Sequence, residues 1–158
     1  WKPKQVAAGA QTPVKAAPPT SASAPAAVAG ALTVEQVKGM LERLGYAPKN
    51  ISDPGEAPLY EFSAVRDGVT IPVSFSVSQN QKYVWAQVRL LTTAVPQPVS
   101  VAVMARAVDI QPSMFWTRSN GLWLGLARDN RGVTAADLRS MIDDVLQNTL
   151  ATQDIWGR

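Results

Sequence analysis

The stretch Val69–Leu91, VTIPVSFSVSQNQKYVWAQVRLL, alternates apolar and polar side chains twice, on either side of a short polar break. Val69, Ile71, Val73, Phe75 and Val77 fall on one side, and Thr70, Ser74, Ser76 and Ser78 on the other. A period of two is the mark of a half-buried strand. QNQK turns the chain. Val84, Ala86, Val88 and Leu90 then resume the inward face, while Tyr83, Trp85, Gln87 and Arg89 point the other way. Pro72 has no N–H for a ladder, which predicts an edge strand or a bulge at that point.

Outward from this hairpin the signals continue. Upstream, LYEFSAV puts Tyr60, Phe62 and Ala64 on one side, and Asp67-Gly68 is a two-residue hairpin signal. Downstream, PQPVSVAVMARAVDIQPS predicts a helix started by Pro96 and Pro98, stopped near Pro112, and carrying an apolar stripe of Val101, Met104, Ala105 and Val108. MFWTRSNGLWLGLA then reads as a second hairpin around Asn120-Gly121, with Leu122, Leu124 and Leu126 inward and Trp116 and Trp123 as a cross-strand pair.

Helices close both ends. In LTVEQVKGMLERLGY, Thr33 and Gln36 have capping-box spacing, Val34, Val37, Met40, Leu41 and Leu44 share a face, and Gly45 ends the helix. In the last helix Thr134 and Asp137 repeat that spacing, and Leu138, Met141, Ile142, Val145, Leu146 and Leu150 form the stripe. Trp156 is expected to fold back as a C-terminal anchor. The expected fold is therefore α+β: a mostly antiparallel five-stranded sheet packed by three helices, in the order α-β-β-β-α-β-β-α.

The domain is expected over residues 31–158. Residues 1–30 are rich in Ala, Pro, Ser and Thr, with Pro13, Pro18, Pro19 and Pro25 interrupting the alanines. Such a segment buries too little apolar surface to offset ordering, so a disordered linker is expected, with a docking peptide as the rival reading. The chain starts at Trp1, which suggests an upstream export signal or anchor. The formal charge of +3 resides in that tail: Lys2, Lys4 and Lys15 lie there without an acid, leaving 12 basic and 12 acidic residues for the rest. A neutral fold argues against nucleic-acid binding. No apolar run reaches the ~20 residues of a membrane span, so no membrane insertion is expected.

Catalytic chemistry finds little support. The chain has neither histidine nor cysteine, which removes the commonest general base, the thiolate nucleophile and the usual zinc ligands. Asp143-Asp144 points two ways on a helix, and GLWLG lacks the Lys-Ser/Thr end of a phosphate loop. No enzyme activity and no cofactor or metal are expected. The junction RDNRGV, between the last strand and the last helix, has two readings. Arg128 and Arg131 stand near a helix N-terminus and could contact an anion; alternatively the segment is a solvated turn. The absence of cysteine suits the cytoplasm and an oxidising compartment equally.

The aromatics Tyr83, Trp85, Trp116 and Trp123 are the candidate partner-binding residues, provided their face of the sheet is uncovered. Packing under a helix or loop is the alternative. Taken together, LTVEQVKGMLERLGY, VSFSVSQNQKYVWAQVRL, LWLGLARDNRGVTAADLRSMIDDVL and TQDIW resemble the YbjN-type bacterial sensory transduction regulator family, with its type III secretion chaperone-like fold. The resemblance spans residues 32–156 and carries no catalytic residue. It implies a non-enzymatic protein-binding or regulatory module, often a homodimer. The other expectation is an envelope-tethered domain that binds a small ligand or a cell-wall component.

Overall fold

A computed structural model describes residues 30–118 and 121–157. The expected linker, before Gly30, and the turn residue Asn120 lie outside these residues. Among them the elements run α1 (Val34–Arg43), β1 (Lys49–Asn50), β2 (Tyr60–Arg66), β3 (Val69–Val77), β4 (Tyr83–Leu91), α2 (Gln97–Arg106), β5 (Met114–Arg118), β6 (Gly121–Asp129), α3 (Ala135–Ala151) and α4 (Gln153–Trp156). The strands form one antiparallel sheet in the order β1-β2-β3-β4-β6-β5. No helix among the described residues is long and apolar enough to cross a membrane.

Local chemistry sets these boundaries. In α1 the Thr33 hydroxyl accepts from the Gln36 N–H at 3.2 Å, and the Gln36 side chain accepts from the Thr33 N–H at 2.8 Å. Both first-turn donors are thereby satisfied. Thr134 and Asp137 do the same for α3. Between β2 and β3, Arg66 pairs with Val69, so Asp67 (φ 51°) and Gly68 (φ 78°) form the two-residue turn with the positive φ angles that match strand twist.

The expected count of five strands and three helices is corrected to six and four among the described residues. β1 is two exposed residues, Lys49 and Asn50, opposite Glu61 and Tyr60. It has no apolar alternation to announce it. α4 is a single turn after Thr152, with Ile155 buried and Trp156 packed against the core. Pro72 is also relocated. β3 is interior in strand order, yet it pairs with β4 only from Ser74 to Val77. Pro72 therefore lies where β3 has no β4 partner, as its missing N–H requires.

One face of the sheet carries the core. Val73, Phe75, Val84, Ala86 and Leu124 are fully buried beneath Val37 and Leu41 of α1 and Leu138, Met141, Ile142 and Val145 of α3. Each such large apolar side chain contributes about 1.5–3 kcal/mol relative to exposure.

α2 forms where the sequence predicts, but turned over. The stripe expected to face inward instead faces solvent: Val101, Met104 and Val108 are 61%, 73% and 78% exposed. Val99 and Val103 pack on the core instead. This helix is apolar on both sides, so periodicity does not select the inward one. Tertiary contacts do: Arg106 meets Asp154 of α4 at 3.4 Å.

Candidate functional site

The two helical elements that cover the core leave the other sheet face to β4, β5 and β6. Strand alternation places Trp85, Gln87 and Arg89 there from β4, Trp123, Gly125 and Ala127 from β6, and Met114 and Trp116 from β5. Trp116 and Trp123 are directly opposite in register and stack with ring centroids 6.5 Å apart. Trp85 meets Trp116 edge-on at 5.7 Å. The row between them is Gln87–Gly125–Met114. A side chain at Gly125 would meet the Ala86 carbonyl oxygen at 2.3 Å, so only glycine fits there. Arg89 lays its guanidinium over Trp123, 5.5 Å from the ring centre.

The loop of residues 51–59 walls this face. Its ends are tied by the Ile51 N–H donating to the Leu59 carbonyl at 2.9 Å. Its middle reaches β5 through a solvated Glu56–Arg118 pair at 3.8 Å. The result is a groove of about 850 Å³ with Trp85, Trp116 and Trp123 on its floor. Gln87 lines it at 8% exposure, and its amide makes no hydrogen bond among the described residues. The Trp123 indole N–H is buried and also unpartnered there. Of the two, the Gln87 amide lines the groove and is the one open to a ligand's polar atoms.

Three of the four candidate aromatics are thus brought together. Tyr83 shares their face but stands at the sheet end, opposite Asp129, where Lys82, Asp129 and Arg131 join it around a separate depression. The aromatic face is walled by a loop but bears no helix among the described residues. Sequence reasoning passed over Gln87 and loop 51–59. Gln87 reads as an outward strand residue, and its burial arises only from neighbours distant in sequence.

The junction RDNRGV proves to be a corner of the fold. Arg131 forms a double ion pair with Asp129, at 2.9 and 3.1 Å, and Arg128 meets Asp137. Both guanidiniums considered for an anion therefore already face carboxylates of this chain. The solvated-turn reading needs correction at Asn130, which is fully buried. Its amide accepts from the Leu32 N–H at 3.1 Å and donates to the carbonyls of Leu32 and Gln81 at 2.8 and 2.9 Å. It fastens the entry to α1, the β3–β4 turn and the end of β6 at one point.

These contacts set a pH response. Hydrogen bonds from the Arg131 side chain and backbone hold the Asp129 carboxyl at about 2 rather than 3.8. Asp137 is lowered as well, first by the Thr134 hydroxyl and backbone N–H and then by Arg128. A carboxyl lowered on folding stabilises fully above its unfolded value and loses that contribution as pH falls through the folded one. The urea midpoint should therefore fall between pH 3.8 and about 2. Asp129→Asn and Asp137→Asn together should flatten that limb, and an unchanged limb in the double variant would count against these contacts.

No family model and no curated protein matches this sequence. Among solved structures, a chain in the crystal structure of the ExsC–ExsE complex matches with a TM-score of 0.53 and 10% identity. The match covers 79% of this chain and 97% of that one. At this identity the likeness is one of fold alone.

Proposed function

We propose that the protein is a non-enzymatic binding module, of the regulatory or secretion-chaperone-like kind, that holds a segment of a protein partner in the aromatic groove. The observation that carries this is the Trp85–Trp116–Trp123 cluster, half-buried on the sheet face opposite α1 and α3. Tryptophan is the residue most often dominant in protein interfaces, because one rigid ring displaces much water at little entropic cost. The similar fold was crystallised as a complex, which agrees with a protein partner here.

The test is photo-crosslinking from Met114, an exposed residue of β5 that lines the groove beside Trp116, with the captured protein identified and purified. Its affinity for Trp116→Ala should then fall about 30-fold or more, as expected for an interface anchor. Undiminished affinity would remove the groove from the interface. A small ligand or cell-wall component is the second reading, favoured by a groove volume within the ~300–1,000 Å³ of ligand sites. A glycan or lipid retained through purification would establish it.

The homodimer belongs to a different surface. Val101, Met104 and Val108 expose an apolar patch on and just beyond α2, away from the groove. Light scattering should give twice the chain mass for the wild type and a monomer for Val101→Asp/Met104→Asp. At concentrations too low for the dimer, melting of the two forms should barely differ, since both side chains are exposed in the single chain. A wild-type monomer at high concentration would end this reading.

A further inference from the structure

We propose that the chain's own proline-rich segment around Pro18-Pro19 occupies the aromatic groove when no partner is bound, so that partner binding is self-limited. This rests on the groove being the partner site, and it adds the occupant of that site in the free protein.

The argument begins where the tail joins the fold. The chain enters at Ala31, which bridges to Arg131 at the end of β6. Arg131, Asp129, Lys82 and Tyr83 surround a depression of about 340 Å³ at that corner. Tyr83 and Asp129 lie on the same sheet face as Trp85 and Ala127, which pair two residues further along. Arg131, two residues past the end of β6, is four positions from Ala127, about 13 Å at strand rise. The tail therefore departs beside one mouth of the aromatic face.

Reach and chemistry both suit the segment. The 29 residues before Gly30 include Pro18 and Pro19, a dozen residues from the bridge. A coil of that length would span about 20 Å on average, enough to cover the ~13 Å to the Ala127–Trp85 pair. The resulting effective concentration is in the millimolar range, so even a contact with a millimolar constant is about half occupied. Proline-rich chain adopts an extended helix whose carbonyls bond nothing internally, and aromatic grooves take it by ring stacking plus a few donors. Trp85 and Trp116 offer the aromatic surface, and Gln87, a residue nine-tenths buried, offers an amide with no hydrogen bond among the described residues.

The experiment uses the full chain and its lack of native cysteine. A nitroxide is attached at Ser21→Cys, and the indole N–H signals are compared by NMR before and after reduction of the label. Signals of Trp85, Trp116 and Trp123 should broaden several-fold more than that of Trp156, which sits among the helices. Adding Pro18→Ser and Pro19→Ser should abolish the difference. Equal broadening of all four indoles overturns the proposal. So does broadening that survives the proline substitutions, or that appears only between labelled and unlabelled copies in a mixed sample. No partner is present in this measurement, so its failure is separate from a failure of Trp116→Ala to weaken partner binding.

Discussion

Asn130→Ala should lower stability by about 3 kcal/mol, since each of three partly buried backbone groups loses its partner at about 1 kcal/mol or more. The residue is 0% exposed, and its amide serves the Leu32 N–H, the Leu32 carbonyl and the Gln81 carbonyl. Alanine supplies none of these bonds and leaves a cavity with no other donor. Asn130→Asp separates the contributions. Its oxygen still accepts from Leu32, but a carboxylate cannot donate to two carbonyls. Urea unfolding should show both variants far below the wild type, with an unchanged slope. A loss below about 1 kcal/mol for alanine would mean that the corner is not held by this side chain.

Gly125→Ala should be the second severe change. The added carbon would sit 2.3 Å from the Ala86 carbonyl oxygen and 2.9 Å from the Gln87 backbone. These are main-chain atoms of the longest ladder in the sheet, so relief requires β4 and β6 to separate. A loss of about 3 kcal/mol is expected, the upper part of the range for overpacking. Because Trp85 and Trp116 meet across this row, their near-ultraviolet circular dichroism should weaken in parallel. Gly132→Ala is the control: it has a φ of +74° but open space around the new carbon. Its cost should be only about 1 kcal/mol. Equal melting of the Gly125 variant and the wild type would refute the close approach of the two strands.

Much of this architecture was legible because it is written in local periodicity. Val69–Leu91 announced the central hairpin, and both capping boxes formed as their spacing required. Opposition of Trp116 and Trp123 followed from the spacing around one turn. What escaped depended on contacts distant in sequence. The rotation of α2 is decided by α4 and the core, since Val99, Val103 and Val101, Met104 are equally apolar. Asn130 reads as an ordinary turn residue until residues from two other segments converge on it. Gln87 reads as a solvent-facing strand residue until loop 51–59 and the tryptophans enclose it. β1 is too short, and too polar, to carry any pattern.

The dimer and groove readings separate two surfaces that sequence alone would merge as exposed apolar residues. Calorimetric titration of the purified crosslinked partner into Trp85→Ala/Trp116→Ala, with Val101→Asp/Met104→Asp alongside, addresses the groove most directly. A role for the groove requires about 1,000-fold loss for the tryptophan variant, two anchors of about 2 kcal/mol each acting together, and a far smaller loss for the α2 variant. Equal affinity of the tryptophan variant and the wild type would contradict it.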